Sequence, residues 1–302
     1  MIPIIDPVDR TLILKELTAD KLLRKTNNGG NEIYVVTARN SPNIMQELGR
    51  LRELSFRDAG GGTGAAVDID AEDTAEEGYQ QLFVWDPKAQ EIVGGYRFIV
   101  SRTPHPKHMS TEHYFRFSDK FRNEFLPYTI ELGRSFVQPL YQGIRQNPKG
   151  LYSLDNLWDG LGALVVTNPD MKYFFGKVTM YGDYNKEARD LLIYLLKKYF
   201  PDRDKLVDPI YPIELDIDNE AMGAVFCGES YAEDYKILTR EIRKCRENIP
   251  PLINSYMNIS PSMRVFGTVK NPDFGEVEET GILITISDIY PVKSERHFKI
   301  MD

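Results

Sequence analysis

Apolar and polar positions recur along this chain in blocks that predict elements. "EIYVVTA", residues 32–38, is a strand pattern rich in β-branched residues. Ser41-Pro42 reads as an N-cap followed by proline at the first helical position. The helix behind it places Ile44, Leu48, Leu51 and Leu54 at helical spacing, and "GGGTG" at 60–64 stops it. After the acidic run "VDIDAEDTAEEGY", the phrase "QQLFVWDPKAQEIVGGYRFIV" predicts a hairpin. Its strands are 81–85 and 91–100, with a turn at Asp86-Pro87. Residues 110–121 predict an amphipathic helix, and "YTIELGRSFVQPLY" at 128–141 a strand closed by Pro139.

"LYSLDNLWDGLGALVVTNP" reads as a helix, with Gly160 and Gly162 each costing about 1 kcal/mol. "KYFFGKVTMYG" is the next strand. Asn185 caps a helix whose stripe is Ala188, Leu191, Leu192, Leu195 and Leu196, and Pro201 ends it. A helix over 231–247 and the strands "MRVFGTV" and "GILITIS" complete the pattern. The sum is a mixed α/β architecture, with a largely antiparallel central sheet flanked by helices. We divide it into an N-terminal extension, 1–30, a core, 31–204, and a C-terminal α+β extension, 205–302.

Composition narrows the function. The 302 residues are 42% apolar and 27% charged, as in globular proteins. No apolar run approaches the roughly 20 residues of a membrane span. "MIPIIDPVDRTLILKEL" lacks the basic and long apolar regions of a secretory signal. Cys227 and Cys245 form no C-x-x-C pair, so free thiols in a reducing cytoplasm are expected. A net charge of -8 argues against general nucleic-acid binding.

The simplest chemistries find no support. "HPKH" offers His105 and His108 without a third ligand in sequence, so no metal is expected. "GGGTG" has no following Lys-Ser/Thr and reads as a flexible loop. No G-x-S-x-G elbow appears and no cysteine sits in a recognisable nucleophile context, so a transferase of this sequence would be expected to transfer directly, without a covalent enzyme intermediate. What stands out is charge within apolar elements. Arg52 lies one helical turn from Phe56. Asp70 and Asp73 follow the glycines, Arg97 ends "EIVGGYR", and Glu131 and Arg134 share one strand. Such residues mark either an ion-pair network or a site. Glu131 and Arg134, three apart, would face opposite sides of a regular strand. A bulge at Gly133 would turn both toward one pocket and splay this strand from its neighbour.

"LRELSF", "QLFVWDPKAQEIVGGYRFI", "IELGRSFVQPLY" and "LWDGLGALVV…YFFGKVTM" resemble the hemolysin-like acyltransferases of the acetyltransferase (GNAT) superfamily. That group includes the N-acyltransferases of ornithine-lipid and glycine-lipid synthesis. "IPPLINSYMNISPSMRVFGTVKNPDFGEVEETGILITISDI" resembles their C-terminal segment. The pattern is also similar to that of the acyl-homoserine-lactone synthases, through Arg52 and Phe56, Asp70 and Asp73, Arg97, and Glu131 with Arg134. Gln81 stands where the lipid-synthesis relatives often carry a histidine.

The resemblance implies a GNAT-like sheet with two splayed parallel strands, here Thr129–Val137 and Tyr173–Met180. An acyl-phosphopantetheine thioester, on acyl carrier protein or as acyl-CoA, would lie between them. No cofactor is implied beyond this co-substrate. The acyl group, expected to be 3-hydroxylated, would pass to a small amino acid, glycine or ornithine, for aminolipid synthesis. Glu131 is the candidate base, or positions the amine, and a backbone N–H near Gly133 to Ser135 would face the oxyanion. Arg97 or Arg52 would hold the acceptor carboxylate; alternatively Arg52, Asp70 and Asp73 pair to order a loop over the site. Phe56 and Trp158 are either substrate contacts or core. Arg145, Lys149, Lys172 and Lys177 would offer a basic face to an acidic carrier protein, and lipid products would bring the enzyme to the inner membrane surface. A CoA-dependent N-acetyltransferase and a non-catalytic acyl-binding module are the competing readings.

Overall fold

Leu82 and Val84 alternate with Phe83 and Trp85, and all four are buried, two on each face of one sheet. A strand apolar on both faces needs cover on both. The computed structural model, which describes residues 1–142, 148–215 and 217–298, shows how this is met.

The chain opens with α1 (Arg10–Glu16), β1 (Leu22–Lys25), β2 (Glu32–Val36) and α2 (Pro42–Asp58). A one-turn α3 (Ala71–Thr74) leads into the hairpin of β3 (Gln80–Asp86) and β4 (Glu91–Ser101). Next come β5 (Phe115–Phe117), β6 (Thr129–Val137), α4 (Ser153–Thr167), β7 (Tyr173–Met180) and α5 (Lys186–Tyr199). The last third holds β8 (Val207–Pro209), α6 (Asn219–Val225), α7 (Tyr231–Lys244), α8 (Pro251–Met257), β9 (Arg264–Asn271), β10 (Val277–Thr285) and α9 (Pro291–His297).

Eight strands form one sheet, in the order β1-β2-β3-β4-β6-β7-β10-β9. Among the described residues every neighbouring pair in it is antiparallel except β6–β7. Helix α2 covers one face with Ile44, Leu48 and Leu51 against Phe83 and Trp85. On the other face α4 and α5 place Leu157, Leu161, Leu192 and Leu196 in one cluster with Leu82 and Val84. Each such side chain contributes roughly 1.5–3 kcal/mol by leaving water. Residues beyond 204 add to the same sheet, since β10 pairs with β7 from Thr285↔Tyr173 to Glu278↔Met180.

Two local expectations are corrected. Ser41 occupies the N-cap of α2, but its side chain makes no capping hydrogen bond. The Glu16 carboxylate, at the end of α1, instead accepts the amides of Asn43 (3.1 Å) and Ile44 (2.8 Å). A carboxylate at a helix N-terminus satisfies free donors and meets the positive end of the dipole. Residues 110–121 do not form an amphipathic helix. They make a 3-10 turn (Ser110–His113) and then β5, which pairs with β8. Phe115 and Phe117 thereby enter a third apolar cluster with Phe121 and Phe175, a packing that period alone does not reveal.

Candidate active site

β6 and β7 run together for four rungs, from Thr129↔Tyr173 to Leu132↔Gly176, and then part. The expected bulge sits just past Gly133. Gly133 pairs with Arg97 and Phe136 with Gly95, so β6 spends one residue more than β4 between these rungs. Arg134 takes up the difference with φ +47°, in the left-handed region that few side chains adopt. Beyond Leu132 the main chain of β6 has no β7 partner. A cavity of about 1040 Å³ opens there. Apolar walls come from Phe136, Val137, Pro139 and Leu252. Leu151 and Leu154 line it too while half exposed, which places the opening on their side. Polar wall groups include Arg97, Ser110, Arg134, Lys177 and Glu279.

Three arginines and three aspartates pair at and behind this wall. Arg52 Nη1 is 3.2 Å from Asp73 Oδ2. Arg97 Nη1 is 2.5 Å from Asp70 Oδ2 and 3.3 Å from Asp73 Oδ2. Arg134 Nε is 2.8 Å from Asp68 Oδ2, and its guanidinium stacks 4.4 Å from the Phe274 ring centroid. Gln81 bridges Arg52 and Asp73. Asp70 and Asp73 also form a reciprocal capping box around α3, with each side chain accepting the other's amide. Burial alone would lower Arg97, but the Asp73 and Asp70 carboxylates outweigh it and hold its pKa well above the usual arginine range. Arg52 and Arg97 are thus engaged by aspartates, and Arg52 does not reach the cavity wall. Together these side chains form one ion-pair network.

The two charges of β6 part company. Arg134 lines the cavity; Glu131 does not. Glu131 is fully buried and accepts the Tyr79 hydroxyl at 2.5 Å and the Thr111 amide at 2.9 Å. Ser110 Oγ lies 3.4 Å from the same carboxylate and does reach the cavity. Burial raises the Glu131 pKa, and the Tyr79 and Thr111 hydrogen bonds oppose this. Ser135 lines the cavity, as does Phe56, which packs edge-on against Phe274 at 5.0 Å. Trp158 lies away from it, in the core against Tyr256.

The glycine loop also gains a partner. Glu53 accepts the amides of Thr63 (3.0 Å) and Gly64 (2.8 Å), so the loop cradles an internal carboxylate rather than hanging free. The basic face reads differently as well. Lys172 is exposed, Arg145 lies outside the described residues, as does the Lys149 side chain, and Lys177 is half-buried and lines the cavity wall. Lys177 Nζ lies 2.8 Å from Glu279 Oε2. Sequence reasoning had no signal for Glu279, one of two adjacent acids near the start of β10. His105 and His108 are exposed, and among the described residues no three His, Cys, Asp or Glu side chains gather as for a metal. No helix among them is long and apolar enough to cross a membrane.

Comparison with known proteins gives the family. Residues 51–148 match the acetyltransferase (GNAT) domain family. A glycine N(alpha)-acyltransferase of Phocaeicola vulgatus is 53% identical over 301 residues, spanning 98% of this chain and 92% of that protein. The glycine N(alpha)-acyltransferase of Bacteroides thetaiotaomicron is also 53% identical over 301 residues, covering 98% and 89%. Among solved structures, the acyl-homoserine-lactone synthase LasI aligns with a TM-score of 0.42 at 10% identity, over 90% of this chain and 98% of that one. The CoA-dependent acyl-homoserine-lactone synthase BjaI, solved with SAM and isopentyl-CoA, aligns with a TM-score of 0.32 at 14% identity, over 50% and 68%. The chain belongs to the family of these glycine N(alpha)-acyltransferases and is an acyltransferase with a GNAT domain.

Proposed function

We propose that this protein transfers a fatty acyl group from a phosphopantetheine thioester to the amine of glycine, giving an N-acylglycine. The observation that carries the reading is the parting of β6 and β7 onto a large, largely apolar cavity. An extended thioester arm would add to the free β6 edge by main-chain hydrogen bonds, with the acyl chain along Phe136, Val137 and Leu252. The names of the two 53% identical relatives support glycine as acceptor.

In this reading the glycine ammonium loses a proton, its nitrogen attacks the thioester carbonyl carbon, the C–N bond forms and the C–S bond breaks. The nitrogen gives up its second proton as the amide forms and the departing thiolate takes up one, so the products are N-acylglycine, free thiol and one released proton. Glu131 is the base, and it acts through Ser110, which spans the gap between the buried carboxylate and the cavity. Its raised pKa moves it toward the range in which a carboxylate both accepts and returns a proton. Backbone N–H groups from Gly133 to Ser135 face the oxyanion. Arg134 anchors the bulge that presents them. The donor is acyl carrier protein and the product feeds aminolipid synthesis at the inner membrane surface.

Purified protein would be incubated with 3-hydroxypalmitoyl carrier protein, palmitoyl-CoA or acetyl-CoA, and with glycine, serine or ornithine. Free thiol and product mass are then read. N-acylglycine from the long-chain carrier protein is the expected product. Thiol release with acetyl-CoA alone would overturn the fatty acyl reading.

A further inference from the structure

Lys177 and Glu279 are 2.8 Å apart on the cavity wall, with side chains only 11% and 5% exposed. A buried ion pair gains little stability over an apolar pair of the same size, so its place in the wall needs a reason. Lys177 follows Gly176, the last β7 residue paired with β6, so the charge stands at the point where the strands part. Glu279 reaches the same face from β10, because Thr179 opposes it and Gly281 opposes Lys177. A closed frame holds the pair. Asn271 Nδ2 donates to Glu279 at 3.0 Å, Tyr114 Oη donates to Asn271 Oδ1 at 2.8 Å, and Lys177 Nζ sits 3.9 Å over the Tyr114 ring.

The remaining wall cations are committed elsewhere, Arg97 to Asp70 and Asp73, and Arg134 to Asp68. An ammonium has three donors, and one carboxylate and one ring face do not exhaust them. The carboxylate likewise keeps acceptor capacity beyond Asn271 and Lys177.

Resting on the acyl-transfer reading above, we infer that Lys177 and Glu279 are the seat of the acceptor amino acid, Lys177 binding its carboxylate and Glu279 its ammonium. An adjacent cation and anion match the two charges of a zwitterion in one orientation. Both charges stand on the cavity wall next to the splay, within which the thioester carbonyl would lie. Neither residue takes part in bond making; both position the acceptor. The assignment moves the carboxylate clamp away from Arg97 and Arg52. A simple alkyl amine is accordingly expected to be a poor substrate, since it carries only half of the recognised charge.

The test compares glycine with glycinamide, which keeps the amine and lacks the carboxylate, using one long-chain thioester donor. The wild-type protein is expected to prefer glycine by on the order of 10²-fold or more in kcat/KM, as a site built for a polar group rejects the analogue without it. In Lys177→Met that preference collapses toward unity, while the KM for the thioester stays unchanged. In Glu279→Gln the KM for glycine rises and the thioester KM again holds. The double variant Lys177→Met/Glu279→Gln removes both charges together, leaves neither buried alone, and is expected to show the same collapse. If wild-type protein acylates glycine and the variants keep its preference over glycinamide, this assignment is overturned while acyl transfer stands. If wild-type protein makes no N-acylglycine from any donor, the functional reading itself fails.

Discussion

The Tyr79 hydroxyl donates to Glu131 at 2.5 Å, and neither side chain lines the cavity that Ser110, bonded to both, does reach. Proton transfer at this site is therefore predicted to be indirect. Glu131→Gln should lower kcat by about 10²- to 10⁴-fold. Ser110→Ala should lose a similar factor, and the double variant little more, because the two act in series. Steady-state rates with glycine check this. Full turnover by Glu131→Gln would remove it as the base.

Burial raises the Glu131 pKa above its ordinary 4.5. Between the unfolded and folded values the folded chain binds the proton more tightly. The stability from Glu131 is therefore complete below the unfolded value and is lost as pH rises through the folded one. Urea unfolding of wild type and Glu131→Gln across about pH 4 to 8 measures this. The wild type should lose stability relative to the variant as pH rises. A difference that does not change with pH would show that Glu131 is not raised. The acid limb of kcat/KM should likewise lie above 4.5 and disappear in the variant.

Asp73 faces Arg52 at 3.2 Å and Arg97 at 3.3 Å, with no exposed side-chain surface. Removing one partner of a buried pair leaves the other uncompensated. Asp73→Ala should cost about 3–5 kcal/mol. Arg52→Met combined with Asp73→Leu should recover part of that loss, since the orphaned Arg52 charge goes too. Denaturant midpoints of the two variants report the difference.

Helix α2 carries Arg52 and Phe56, and its first turn is held from another helix. Glu16→Ala should destabilise by about 0.5–2 kcal/mol, the range for loss of a cap. Ser41→Ala should cost almost nothing, because the Ser41 hydroxyl makes no capping bond. Thermal melts of the pair give opposite answers if the sequence signature, rather than Glu16, supplies the cap.

Local pattern determined much of this protein. Leu82 to Trp85 declare a strand buried on both faces, and Leu191, Leu192, Leu195 and Leu196 declare a helix stripe, because side-chain direction follows backbone period. The cost of burying charge likewise singled out Arg52, Asp73, Arg97 and Glu131 before any contact was known. What such a signal lacks is the partner. Trp158 carries the composition of a binding residue yet packs on Tyr256 in the core. Glu16 caps a helix that starts 26 residues later, at Pro42. Lys177 and Glu279 are 102 positions apart, and only the register of β10 on β7 joins them. Charge partners depend on sheet order and register. These are set by packing of the whole chain, so tertiary structure alone decided which charges pair with one another and which of them reach the cavity.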